Sequence, residues 1–254
     1  MFIRLTMMAE KAMSTNNFTL TPESSPKLFV VPNSDHLTDN EFSLLYQLCS
    51  SERRLRVNRF HFREDACRSV IGETLMRYAV FSVTKELPRA DAFTTNRNGK
   101  PALHGTNLHL NISHSGKWVV CGIDTMDIGV DIEKIREISL ELTRYFSPEE
   151  KVFLKSFACK KHLAEMFFRI WTLKESYIKS IGEGLLCPLD SFACIPVKGD
   201  TVEFKRFDSR LPLRYLRNFS IDPSYSSAVC TTGIFGELPV SIIGVSDLLR
   251  ELNE

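Results

Sequence analysis

The feature that most constrains this chain is a change of hydrophobic period that occurs twice. Between residues 64 and 87 apolar side chains fall at 67, 70, 71, 75, 78 and 81, the spacing of one helix face, and Pro88 ends the pattern. Short alternating runs follow at 92–95, 108–113, 118–123 and 128–132, with Asn98-Gly99 as turn chemistry between the first two. The order then repeats. Ser147-Pro148-Glu149-Glu150 starts a helix, with serine as N-cap, proline at the first helical position and acids in the first turn. A longer helix over about 162–181 stops at Gly182, and strands are predicted at about 191–196, 201–207, 213–218 and 226–231. Ahead of the first switch lie an apolar strand, Leu28 to Val31, a helix from the capping box of Thr38 and Glu41 to about Cys49, and a helical stretch over 51–62. Helices before strands, twice, predict an α+β protein of two similar halves, residues 27–126 and 127–254, rather than a βαβ alternation. Residues 1–26 are polar and turn-rich and are expected to form a poorly ordered extension. The C-terminal segment is left able to pack back on the first half.

Composition narrows the function. The 254 residues are 43% hydrophobic with 18 Phe, enough for a sizeable core. Thirty-two basic and 31 acidic side chains leave a net charge of +1, so there is no electrostatic footprint for nucleic acid or an anionic membrane surface. Any phosphate must be held by a local cluster. No run approaches the about 20 apolar residues that span a bilayer, and no signal peptide is visible, so a soluble, cytoplasmic protein is expected. Seven cysteines without Cys-x-x-Cys spacing point to buried reduced thiols rather than to a zinc site or a disulfide framework.

Four groups of residues could carry chemistry. Asp131 and Glu133 stand two apart on a predicted strand and so share a face. Adjacent carboxylates repel, which a hard divalent cation would relieve; a solvated strand end is the alternative. Trp171, Glu175 and Lys179 are spaced four apart on one helix face, either as a surface ion pair or as the wall of a half-buried site. Six arginines crowd residues 53–68, and Arg56, Arg59 and Arg63 share a face if the helix is continuous. Guanidinium forks suit phosphates, although most such runs are solvated faces. His114 sits in a predicted turn between strands, as a phosphate ligand or a hydrogen-bonded structural residue. A nucleophile elbow, a P-loop and a dinucleotide-binding glycine motif are all absent, and Gly182 and Gly184 fit helix capping.

Taken in order, NGKP at 98–101, NISHSG at 111–116, GVDIE at 129–133, FSPEE at 146–150 and WTLKESYIKSIGEGL at 171–185 form a larger pattern. Together with RRLRVNRFHFREDACRS at 53–69 and PLDSFA at 188–193, it resembles the phosphopantetheinyl transferases of the surfactin-synthetase-activating (Sfp-like) type. The resemblance covers the chain from about Leu28 onward. It implies a monomer whose halves are related by a pseudo-two-fold axis, with coenzyme A in the cleft between them. It also implies transfer of the phosphopantetheine arm to a serine of an apo carrier protein, as in nonribosomal peptide, antibiotic, polyketide or fatty acid biosynthesis. Asp131, Glu133 and Glu175 would match magnesium ligands, with manganese as a possible substitute, and Lys179 the lysine on the phosphates. Glu150 would correspond to an acid that activates the serine, directly or through a water. Arg53, Arg56, Arg68, Ser113 and His114 would hold coenzyme A, with Gly99, Lys100 and Pro101 near its nucleotide. The alternatives are another magnesium-dependent diphosphate hydrolase and a non-catalytic coenzyme A-binding protein.

Overall fold

The computed structural model describes residues 26–253 apart from 33 and 235. The extension expected over 1–26 lies outside the described residues, Pro26 excepted. The elements are β1 (Lys27–Val31), α1 (Asp39–Leu48), α2 (Ser51–Val57), α3 (Arg63–Thr84), β2 (Phe93–Thr95), β3 (Pro101–Leu103), β4 (His109–Ser115), β5 (Trp118–Asp124), β6 (Ile128–Lys134), α4 (Pro148–Lys155), α5 (Lys160–Ile181), β7 (Phe192–Pro196), β8 (Val202–Arg206), β9 (Tyr215–Phe219), β10 (Tyr225–Thr231), β11 (Val240–Ile242) and α6 (Val245–Asn253). This is the expected α+β arrangement in two halves, each with a long helix on a sheet.

The first half carries a six-stranded sheet in the order β11-β1-β5-β4-β3-β2, and the second a three-stranded sheet, β6-β10-β9, with β7 and β8 as a separate pair. The first sheet is not purely antiparallel: β11 pairs parallel with β1, so the C-terminal segment returns to the first half. Alternation within single strands explains how the sheets stack. On β1, Phe29 and Val31 join the core under α3, while Leu28 and Val30 join a second core with Trp118 and Val120 of β5, Ile128, Val130 and Ile132 of β6, and Val229 of β10. The continuous apolar run LFVV therefore marks a strand buried on both faces. The layers run helix, sheet, sheet, helix, with α3 and α5 on the outside.

Local chemistry sets the helix ends. Thr38 and Ser147 both form complete capping boxes, with Glu41 and Glu150 respectively. The helix expected to reach residue 87 ends at Thr84, because Lys85 takes a left-handed conformation (φ 62°) and donates its N–H to the Phe81 carbonyl at 2.8 Å. The stretch expected over 51–62 also stops early, at Val57, and α3 starts at Arg63. The continuous face of Arg56, Arg59 and Arg63 is thereby broken; Arg63 instead pairs with Asp39 at 2.9 Å and lies over the Phe42 ring at 3.8 Å. Six of the seven cysteines are buried free thiols as expected, and Cys159 is exposed.

Candidate functional site

The site is built where β6 lies against β4 and α5 lies against β6. Gly129 permits the second approach, since a Cβ there would run into the backbone of Ser176 and Ser180 on α5. That contact brings Lys179 onto β6, where its ammonium donates to Asp131 Oδ1 at 2.6 Å, Ser113 Oγ at 3.0 Å and the Val130 carbonyl at 3.3 Å. The same helix face carries Glu175 and Trp171, so the four-residue spacing is a site wall. Asn98 and Lys100 tie the first half to the end of α5, donating to the carbonyls of Gly182 and Ser180, each at 2.7 Å.

Two cavities meet at Glu175 and Lys179. The polar one, about 710 Å³, is lined by Arg53, Arg56, Arg68, Ser113, His114, Asp131 and Glu133. The other, about 820 Å³, is largely apolar, with Tyr145, Ile178, Cys187, Pro188 and Leu189 in its wall. Trp171, Gly99 and Pro101 border both. Arg53 is aimed by the buried Glu73 (3.0 Å from Nε) and by Ser69. Arg68 is held by Asp65 at 2.6 Å and by the Gly116 carbonyl. Arg56 projects into the cleft with no hydrogen bond or ion pair to the described residues. The His114 ring reaches solvent, yet it sits inside a concave wall. Loss of solvation there, reinforced by the charges of Arg68 and Lys179, lowers its pKa.

The carboxylates show what this cleft lacks in protein partners. Asp131 is buried and its Oδ2 has no hydrogen-bond partner, although such an atom normally finds one. Burial and the Asp131 charge raise the pKa of Glu133, and burial followed by Asp131 raises that of Glu175. The three groups thus crowd negative charge into one corner. Among the described residues no group of three or more His, Cys, Asp or Glu side chains already converges on one point. The donor set is nonetheless all oxygen, and a bare buried carboxylate oxygen beside two further carboxylates fits a hard divalent cation.

Two expected residues stand elsewhere. Glu150, expected beside the nucleophile, is fully buried and borders neither cavity. One carboxylate oxygen accepts from Ser147 N in its own capping box; the other accepts from Cys194 N at 2.8 Å and Lys174 Nζ at 2.9 Å. Lys174, also fully buried, donates further to the carbonyls of Leu189 and Phe192. Both oxygens of Glu150 are thus engaged within the fold. Lys100 borders only the apolar cavity, with its ammonium on the Ser180 carbonyl, away from the arginines. The sequence reading in turn missed Glu73, Asn111 and Ser115. The alternation of Asn111, Ser113 and Ser115 along one strand was the visible signal for Asn111 and Ser115; Glu73, on α3, had none of that kind.

Comparisons with known proteins agree with this geometry. Residues 127–231 match the family model of the 4′-phosphopantetheinyl transferase superfamily, and residues 36–125 match that of the 4′-phosphopantetheinyl transferase N-terminal region. The chain is 35% identical to the 4′-phosphopantetheinyl transferase Sfp of Bacillus subtilis over 226 residues, which is 88% of this chain and all of the relative. It is 37% identical to the Bacillus subtilis 4′-phosphopantetheinyl transferase ffp over 80% of this chain and 91% of that one. It is also 37% identical to the 4′-phosphopantetheinyl transferase gsp of Aneurinibacillus migulanus, over 70% of this chain and 75% of that one. With both halves matched and a relative covered end to end, the chain belongs to the 4′-phosphopantetheinyl transferase superfamily.

Proposed function

We propose that this protein moves the 4′-phosphopantetheine arm of coenzyme A onto a serine of an apo carrier protein at the junction of its two cavities. The observation that carries the reading is the set of three carboxylates around Lys179, one with a bare buried oxygen, facing an arginine-lined cleft. The serine oxygen forms a bond to the phosphorus that bears the pantetheine, the diphosphate P–O bond breaks, and adenosine 3′,5′-bisphosphate leaves. The adenosine bisphosphate side suits the polar cavity, where Arg53, Arg56, Arg68 and His114 face its phosphates. The pantetheine and the incoming carrier suit the apolar one.

Asp131, Glu133 and Glu175 would hold Mg²⁺, or Mn²⁺ in its place, which supplies neutralisation of the diphosphate oxygens as the serine approaches. Lys179 places a positive charge at the boundary of the cavities, where charge gathers on the leaving oxygen. Glu150 borders neither cavity, and Glu175, which borders both, would take the proton of the serine. No helix among the described residues is long and apolar enough to cross a membrane. The relatives are all named as transferases, which leaves the hydrolase and the non-catalytic binder without support.

The test is mass spectrometry of an apo carrier protein incubated with this protein, coenzyme A and Mg²⁺. A gain of about 340 Da on the carrier serine, lost with EDTA, is expected. Cleavage of coenzyme A without a mass gain on peptide, polyketide or fatty acid carriers would contradict transfer.

A further inference from the structure

Three polar side chains, Asn111, Ser113 and Ser115, project from the same face of β4 and meet β6 at alternate backbone positions. Asn111 Oδ1 accepts Val130 N at 2.9 Å, Ser113 Oγ accepts Ile132 N at 3.4 Å, and Ser115 Oγ accepts Lys134 N at 3.0 Å. A hydroxyl has one proton and two accepting positions. The backbone N–H fills one of these, and Lys179 Nζ fills the other on Ser113 at 3.0 Å. A neighbouring carboxylate can only accept, so the proton's direction is fixed. It points at a carboxylate in both cases: Ser113 to Asp131 Oδ1 at 2.8 Å, and Ser115 to Glu133 Oε2 at 2.9 Å. The pattern is the same for both acids. One oxygen is tied by a serine, and the other, Asp131 Oδ2 or Glu133 Oε1, receives no hydrogen bond from the described residues. Arg136, the other cation near Glu133, reaches the same tied oxygen at 3.8 Å from a mostly exposed side chain.

We infer that Ser115 is a positioning residue, which locks the Glu133 carboxylate so that its second oxygen faces the cleft and is available to a divalent cation. The inference rests on the reading of Asp131, Glu133 and Glu175 as a cation site. Asn111 supplies an internal comparison, since it makes the same seam bond to β6 but touches neither acid. A merely structural row would make the two positions equivalent. Groups that orient metal ligands are typically worth about 10–100-fold in metal affinity, and Ser115 is placed to act in that way.

The experiment is Mn²⁺ binding to the full chain with coenzyme A present, read from the electron paramagnetic resonance of free Mn²⁺, with melting temperature measured alongside. Ser115→Ala is expected to weaken Mn²⁺ binding about tenfold, Ser115→Thr to stay within about twofold of the unaltered protein, and Asn111→Ala to lower the melting temperature while leaving affinity within about twofold. Ser115→Cys, which keeps the volume with a poor donor, repeats the test if the alanine variant does not fold. Glu133→Gln separates the two levels. Weakened binding in Glu133→Gln with unchanged binding in Ser115→Ala overturns the positioning role alone. Equal losses in Ser115→Ala and Asn111→Ala overturn it too. Unchanged binding in Glu133→Gln overturns the cation site itself.

Discussion

Lys174 and Lys179 stand five residues apart on α5, each beside a carboxylate, and the protein uses them in opposite ways. Lys174 and Glu150 are both fully buried, 2.9 Å apart; all three Lys174 donors are matched, and each Glu150 oxygen accepts at least one backbone N–H. Together they fasten α4, α5 and the loop into β7. Lys179 and Asp131, 2.6 Å apart, sit at the cavity junction, and one Asp131 oxygen has no partner. Charge pairing alone therefore does not mark a functional site. A pair whose hydrogen-bonding capacity is saturated by the fold is scaffold, while a pair with capacity left over at a cavity is available to a ligand.

The contrast can be broken most directly at Asp131. Asp131→Ala is expected to lower the transfer rate by about 10³-fold or more, equivalent to about 4 kcal/mol, with its denaturation midpoint near that of the unaltered protein. Loss of folding in place of loss of rate would erase the distinction between the pairs. At the other pair, Glu150→Gln is expected to cost about 3 kcal/mol in urea denaturation, because Lys174 is left buried with one partner weakened. The double change Glu150→Gln with Lys174→Met should recover much of that loss; a strictly additive result would mean that the pair is not coupled. Lys179→Met should reduce kcat by about 10²-fold with little change in stability, which steady-state kinetics and melting together would show.

Smaller effects sharpen the comparison at its edges. Asn98→Ala removes the bond to the Gly182 carbonyl and should cost about 1 kcal/mol, with faster amide exchange in the last turn of α5. His114 tests the charge of the cleft. Its pKa in the folded protein lies below the ordinary 6.5, so as pH falls through 6.5 the unfolded chain takes up this proton first and folding weakens. Above 6.5 both states are neutral and the contribution vanishes. His114→Gln should flatten stability against pH below 6.5, and an unchanged profile would show that neither burial nor the neighbouring cations shift His114.

Much of this was legible in the sequence where the signal was local. The Thr38–Glu41 and Ser147–Glu150 boxes, the period-two carboxylates of β6 and the period-four face of Trp171, Glu175 and Lys179 all rest on contacts within a few residues. The burial of Glu150 was not legible although its capping-box position was, because its second partner, Lys174, lies 24 residues away and looks like an ordinary surface lysine of a helix. The row of Asn111, Ser113 and Ser115 showed its alternation, but its meaning depends on β6 crossing β4, 19 residues further on. That the C-terminal segment could pack back on the first half was foreseen, but its parallel pairing with β1 was not, since a three-residue strand carries no period and its partner is over 200 residues distant.

The proposed contrast is that the unsaturated pair serves transfer and the saturated pair supports the fold. It is tested by measuring phosphopantetheine transfer to one apo carrier with Asp131→Ala and Glu150→Gln, both at a temperature where each variant is folded. Glu150→Gln should turn over within about threefold of the unaltered protein while Asp131→Ala falls about 10³-fold or more. A folded Glu150→Gln that is inactive beside an active Asp131→Ala would contradict it.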